Sequence, residues 1–291
     1  MSRWVVRGRE LSLSRPLVMG ILNTTPDSFS DGGRYYPTEA AVARASEMLA
    51  EGADIIDVGG ESTRPGAAAI SEDDELRRVV PVVRGIASRH PDATISIDTT
   101  KTVVARAAVD AGAHIVNDVS GLRFDPAIAG VCATHGAGLV LMHSRGDDVT
   151  ELASFEHAAY DDVVREVCAE LEDAFTIALE AGVRRDAIAF DPGIGFAKRG
   201  AHSLVLLARL GDLASLGYPI LVGVSNKRFI GEITGVAEPA QRQAGTLGAI
   251  VSALTLGAHI FRVHDIRPAR EALDVAWAIL NGRGERATQR A

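Results

Sequence analysis

At 291 residues, with 47% hydrophobic and 23% charged side chains, the chain is long enough for one large α/β domain or two smaller ones with full cores. Its formal net charge of −8 argues against nonspecific nucleic-acid binding, although a local basic cluster could still hold a small anion. The amino terminus lacks a signal-like apolar stretch, no run approaches membrane-spanning length, and Cys132 and Cys168 fall in helix-like segments; a soluble cytoplasmic protein with reduced thiols is expected.

The chain repeats one pattern: an apolar run, a polar residue at its end, a glycine-bearing loop, then an amphipathic helix. Trp4 to Leu13 alternates loosely around Gly8 and predicts a small hairpin that plugs or covers a larger fold. Pro16 to Leu22 reads as a buried strand ending at Asn23, followed by a long polar loop over 24–33 and a helix from Thr38 to Glu51. Strand Ile55 to Val58 contains Asp57 and leads into a second glycine- and proline-bearing loop over 59–66, then a helix over Asp73 to Arg89. Strand Thr94 to Ile97 ends at Asp98 and precedes a helix over Lys101 to Ala111; strand His114 to Val116 ends at Asn117 and precedes a helix over Pro126 to His135. Strand Gly138 to Met142 ends at His143, before a long helix from about Ala158 to Glu180. Strand Ala187 to Phe190 ends at Asp191 and precedes a helix over Ser203 to Leu216. Strand Pro219 to Val224 ends at Ser225-Asn226-Lys227, with a helix from about Ala240 to Leu256. Strand Ala258 to Phe261 ends at Arg262-Val263-His264-Asp265, with a last helix over Pro268 to Leu280 and a charged tail from 281 expected to fray.

Eight strand-helix units without a linker-like break predict a single (β/α)₈ barrel with a short amino-terminal hairpin, residues 1–291 forming one domain; a doubly wound sheet is the alternative. In a barrel every strand's carboxyl end opens on one face. Asn23, Asp57, Asp98, Asn117, His143, Asp191, Lys227, Arg262 and His264 should therefore share one mouth. Singly, a strand-end Asn or Asp more often caps a turn than touches a ligand, and a lone His143 is more often structural. Arg262 and His264 differ, because strand alternation puts both on one face and suggests an anion site.

Asp98, Asn117 and Asp191 suit a flat heterocycle rich in N–H and C=O groups, for which buried fixed partners give strong discrimination. No Cys/His set has zinc spacing, no Ser-His-Asp order stands out, and D-P-G-I-G-F at 191–196 lacks the dinucleotide spacing. The loops 27–33 and 61–66 combine glycine or proline with charge, as lids do, and Asp31 and Arg64 could pair when both close; ordinary surface loops are the alternative.

Seven segments together resemble dihydropteroate synthase: I-L-N-T-T-P-D-S-F-S-D-G-G at 21–33, D-V-G-G-E-S-T-R-P-G at 57–66, S-I-D-T at 96–99, N-D-V-S-G at 117–121, M-H at 142–143, D-P-G-I-G-F at 191–196 and R-V-H-D at 262–265. The resemblance covers nearly the whole chain in order. It implies the same barrel, usually a homodimer and a sulfonamide target, that joins p-aminobenzoate to 6-hydroxymethyl-7,8-dihydropterin diphosphate with Mg²⁺, releasing diphosphate and forming 7,8-dihydropteroate. Position by position it implies a pterin pocket of Asp98, Asn117, Asp191 and Lys227, lined by Asp57 and Met142. It implies a diphosphate anchor of Asn23, Arg262 and His264, with Asn23 also the Mg²⁺ ligand, and closing loops carrying Thr63, Arg64, Pro65, Phe29 and Asp31. Phe196 would pack against p-aminobenzoate; Asp98, Lys227, Asp31 and Arg64 are the expected catalytic set.

One position departs from the family pattern. Where the family reads S-R-K, this chain reads Ser225-Asn226-Lys227, losing a rigid charged fork near the p-aminobenzoate end, for which Arg228, next along, is the candidate replacement. Two rivals follow: a pterin-binding homologue without the activity, suggested by Asn226, and a methyltetrahydrofolate methyltransferase of the same barrel class, disfavoured by Arg262, His264 and the S-T-R-P loop.

Overall fold

Arg7 and Gly8 both adopt positive φ, 48° and 79°, a two-residue turn whose twist suits an antiparallel pair. They join β1 (Arg3–Val6) to β2 (Arg9–Ser12) in register from Arg3↔Ser12 to Val6↔Arg9. The computed structural model describes residues 3–24, 36–62 and 68–282. Beyond the hairpin the strands are β3 (Leu17–Asn23), β4 (Ile55–Gly59), β5 (Thr94–Asp98), β6 (Ile115–Asp118), β7 (Gly138–Met142), β8 (Ile188–Asp191), β9 (Leu221–Val222) and β10 (Ile260–Val263). They pair in parallel in the order β8-β7-β6-β5-β4-β3-β10-β9, and a parallel bridge between Phe190 and Ile220 closes the ring. This is the eight-stranded barrel, not the doubly wound sheet.

The helices are α1 (Tyr36–Ala50), α2 (Glu72–Arg89), α3 (Thr102–Ala111), α4 (Ile128–His135), α5 (Val163–Glu180), α6 (Gly200–Ala208), α7 (Leu210–Ala214), α8 (Arg228–Thr234), α9 (Gln243–Thr255) and α10 (Ile266–Leu280). Three differ from expectation. The long fifth helix starts at Val163 rather than near Ala158, because Asp162 caps it by accepting from the Val164 and Arg165 amides at 3.1 Å. The expected Ser203–Leu216 helix breaks at Arg209, where φ and ψ of −108° and 26° leave the helical region and separate α6 from α7. Helix α8 was not expected at all; seven residues with a central glycine carry a weak helical signal. The seventh barrel strand is shorter than predicted, Leu221–Val222 rather than Pro219–Val224.

Strand alternation sorts the side chains into two layers. Outward-facing Val18, Leu22, Ile56, Val58, Ile95, Ile97, Val116 and Phe190 are buried against the helices. Inward-facing Leu17, Met19, Ile55, Ile115, Val140, Ala189, Leu221 and Ile260 fill the barrel's lower interior together with Trp4 and Val6 of the hairpin. Trp4 is fully buried and donates from its indole nitrogen to Ala187 O at 2.8 Å, and Arg7 donates to Val109 O at 2.7 Å, so the hairpin is bolted on as a floor. One alternation step higher the same inward face turns polar: Ile55 is followed by Asp57, Ser96 by Asp98, Ile115 by Asn117, Ala189 by Asp191 and Ile260 by Arg262.

Candidate active site

At the centre of the mouth is one guanidinium held by two acids. Arg262 donates from Nε to Asp57 Oδ2 at 2.7 Å and from Nη2 to Asp98 Oδ2 at 2.6 Å. Asn117 Nδ2 donates to the same Asp57 oxygen at 3.1 Å, while Asp57 Oδ1, fully buried, has no partner among the described residues. An unpaired acceptor in a buried site calls for a ligand donor. Burial pushes the Asp98 carboxyl up to about 7, with Arg262 pulling it down and Asp57 adding to the rise. Burial works against the Arg262 charge, and Asp57 and Asp98 outweigh it and hold the guanidinium ionised.

Beside this cluster, Asp191 accepts from the Gly193 amide at 2.7 Å, and burial raises its carboxyl to about 6 against the pull of that bond and of Lys227. Burial lowers Lys227 to about 8, with Asp191 opposing, and its Nζ stands 3.9 Å from the centre of the Phe196 ring. Met142 is buried, neighbours Asp191 in register, and packs with Val119, Leu152 and Phe196. Asn23 lies across the mouth: a Cβ built on Gly59 would be 3.6 Å from both Asn23 Oδ1 and Asp98 Oδ2, so those two hard oxygen donors border the same bare backbone.

Most strand-end residues therefore converge as the barrel requires, with two corrections. His143 does not face the mouth. Following inward Met142, its ring turns to α5 and bonds Glu170 at 3.0 Å, with its side chain 1% exposed; this is the structural role. Arg228 is not inside either: it is 72% exposed, paired with Glu232 at 2.9 Å and stacked over Phe155 at the rim. Arg262 and His264 share a face as expected, but Arg262 is held by the acids and His264 Nδ1 sits 2.9 Å from Ser225 Oγ. An incoming anion would have to compete with Asp57 and Asp98 for that guanidinium.

Phe29, Asp31, Thr63, Arg64 and Pro65 lie outside the described residues; the roots of their loops do not. Thr24 donates through its amide and hydroxyl to Gly59 O at 2.8 and 3.1 Å, tying the first loop to the second. Glu61 accepts from the Ile70 amide at 2.8 Å and from Lys101 at 2.7 Å, and Lys101 also reaches buried Glu75. Asn226 adopts φ of 60°, a left-handed backbone that asparagine tolerates better than arginine. Its amide donates to Thr246 Oγ1 at 3.0 Å and its carbonyl accepts from Arg242 at 3.0 Å, so this residue serves the turn that presents Lys227.

The residue that sequence reasoning missed is Lys198, two positions after Phe196. Its side chain is buried, 1% exposed, with Nζ at 2.8 Å from His143 Nδ1, 3.0 Å from Phe196 O and 3.3 Å from His143 O. In sequence it reads as an ordinary loop lysine.

A parallel barrel with a floor of apolar side chains and a mouth of acids, a carboxamide, a lysine and a caged guanidinium is an enzyme site for a flat, polar heterocycle. The model of the pterin binding enzyme family matches residues 19–264. The dihydropteroate synthase of Escherichia coli strain K12 is 44% identical over 277 residues, covering 95% of this chain and 96% of the relative. A Xanthomonas albilineans dihydropteroate synthase structure with 4-aminobenzoic acid superposes at a TM-score of 0.89 and 45% identity, over 96% of this chain and 98% of that one. The structure of the Xanthomonas enzyme in complex with 7,8-dihydropteroate gives 0.85 and 43%, with the same coverage. The chain belongs to the pterin binding enzyme family and, within it, to the dihydropteroate synthases.

Proposed function

We propose that the chain is a transferase of folate biosynthesis that condenses p-aminobenzoate with 6-hydroxymethyl-7,8-dihydropterin diphosphate, forming 7,8-dihydropteroate and diphosphate. The observation that carries this reading is the cluster of Asp57, Asp98, Asn117 and Arg262, with Asp191 and Lys227 beside it, in a chain so similar to dihydropteroate synthases. The pterin ring is taken by Asp98, Asn117, Asp191 and Lys227 over Asp57 and Met142. The free Asp57 Oδ1 and the two raised carboxyls supply acceptors, and a proton where needed, for its amino and amide edge.

The reaction breaks the bond between the pterin's exocyclic carbon and the diphosphate oxygen, the electron pair leaving with diphosphate. The amine of p-aminobenzoate attacks the resulting pterin cation and then loses a proton. No protein nucleophile is required. Asp98 offsets the positive charge that develops on the pterin, and Arg262 with His264 receives the departing anion. Asn23 supplies a hard oxygen donor where a substrate-borne Mg²⁺, usually held by few protein oxygens, would sit; the ion's contribution is to neutralise charge on the diphosphate. Phe196, under Lys227, forms the wall for p-aminobenzoate, and Thr63, Arg64, Pro65, Phe29 and Asp31 complete the closed site on the two loops.

Asn226 is no argument for an inactive homologue, because it stands in a left-handed backbone and is turned to α9. A homodimer in the cytoplasm belongs to the same reading. No helix of the described residues is long and apolar enough to cross a membrane. The test is diphosphate release and dihydropteroate formation by the purified chain, with p-aminobenzoate present or omitted and with Mg²⁺ or a chelator. Product that requires both supports the reading; pterin binding without turnover refutes it.

A further inference from the structure

We propose that Lys198 is a positioning residue for the second substrate: shared among Phe196 O, His143 O and His143 Nδ1, its side-chain nitrogen fixes the turn that carries Phe196. The turn needs an outside hold. Gly193, Gly195 and Ala197 have φ of 65°, 79° and 47°, and the alanine there is strained where glycine would not be. A Cβ on Gly193 would approach His143 O to 1.8 Å, so the turn lies directly on the end of β7. Its two ends serve different partners: the Gly193 amide binds Asp191, and the Phe196 ring underlies Lys227.

Three acceptors match the three N–H groups of an ammonium, while burial works against that charge and lowers Lys198 to about 7, with Asp191 opposing. The hydrogen-bond pattern then assigns the neutral His143 tautomer, accepting from Lys198 at Nδ1 and donating from Nε2 to Glu170. Burial holds His143 down at about 4, in keeping with that neutral ring. Glu170 stays ionised: burial works against it, yet hydrogen bonds from His143 and Arg145 bring its carboxyl down to about 2. The chain of contacts runs from α5 through His143 to Lys198 and ends at the Phe196 carbonyl. A buried lysine with no carboxylate in hydrogen-bond contact among the described residues is expensive for the fold, which an apolar residue would serve better. What the amine adds is a defined height for the ring.

This inference rests on the synthase reading, in which Phe196 borders p-aminobenzoate. The test compares wild type with Lys198→Met, Lys198→Gln, which keeps two donors, and His143→Gln, which removes the Nδ1 acceptor. Product formation is measured with each substrate varied, pterin binding by calorimetry and folding by thermal melts. The expected result for Lys198→Met is a rise of about tenfold or more in KM for p-aminobenzoate, with pterin affinity within about threefold of wild type. Lys198→Gln should fall between the two, and His143→Gln should shift the same KM in the same direction. If Lys198→Met does not fold, the Gln variants decide. Equal losses for both substrates, or none for p-aminobenzoate, overturn the positioning role while wild-type turnover leaves the synthase reading intact. A wild-type chain that makes no dihydropteroate overturns the reading and this inference together.

Discussion

Replacing Arg262 with methionine tests the centre of the site. The side chain keeps an unbranched apolar stem, is shorter, and loses the guanidinium that bonds Asp57 at 2.7 Å and Asp98 at 2.6 Å. Asp57 is fully buried and the arginine side chain is 20% exposed, so the substitution strands two carboxylates in a largely dry mouth. Breaking a buried pair costs about 3–5 kcal/mol; the residual exposure and the ability of Asp98 to take up a proton favour the low end, about 3 kcal/mol. At roughly 2 °C per kcal/mol for a chain of this size, Tm should fall by about 6 °C. The deficit must also depend on pH. The Asp98 carboxyl, raised to about 7 in the fold, binds its proton more tightly than in the unfolded chain; its contribution is most favourable in acid and is lost as pH rises through about 7. Removing Arg262, which pulls that value down, moves the loss to higher pH and enlarges it. Thermal melts of variant and wild type at about pH 6 and about pH 8.5 should therefore show the larger gap in alkali. A gap that is absent, or that does not change with pH, would refute the claim that the guanidinium stabilises the charge of Asp98 and Asp57.

Other substitutions address separate parts of the argument. Asp191→Ala should cost at least about 1–3 kcal/mol of pterin affinity by calorimetry; near-normal binding would remove Asp191 from the pocket. Asn226→Ala should lower stability by about 1 kcal/mol in denaturant melts while Asn226→Gly stays near neutral, because the φ of 60° suits glycine and strains alanine. Trp4→Ala should cost about 3–5 kcal/mol yet leave both KM values unchanged in the folded fraction, since the hairpin is a floor below the site; altered KM values would contradict that separation.

The mouth was legible because two simple periodicities specify it. Strands alternate, and a parallel barrel points all its carboxyl ends one way, so a polar residue closing an apolar run falls on the ligand face. Asp98, Asn117 and Asp191 follow that rule, and Asp57, inside its strand, reaches the same face by alternation alone. His143 broke it by a single residue: Met142 is the inward position, so the histidine had to face α5. Alternation also paired Arg262 with His264, but could not show that the guanidinium would meet acids 205 and 164 residues away in sequence. Helix α8 and the break at Arg209 escaped because short helices have little periodicity to read, and their ends depend on tertiary contacts.

The less legible residues share a function. Three of the loop roots at the mouth are held by side chains that do not line it. Lys101, with Glu75 of α2, holds Glu61 after β4; Lys198, backed by His143 and Glu170, holds the turn after β8; Arg242 and Thr246 at the start of α9 hold Asn226 after β9. Two of these three straps involve a left-handed residue other than glycine, Ala197 or Asn226, at the place being held. A backbone in that region is strained without help: Arg242 donates to the Asn226 carbonyl, and beside Ala197 Lys198 donates to the Phe196 carbonyl while the Tyr160 hydroxyl donates to Ala197 O. The division of labour follows from the fold. In the proposed site the inward side chains are left for the ligand, so geometry is enforced by residues that do not face the mouth, on neighbouring helices or, for Lys198, on the turn itself. Such residues look like surface lysines and arginines when the chain is read alone. For Lys198 and Arg242 the role appears only when the carbonyls they bind are seen to belong to the turns carrying Phe196 and Lys227, and for Lys101 when Glu61 is seen at the root of the loop after β4.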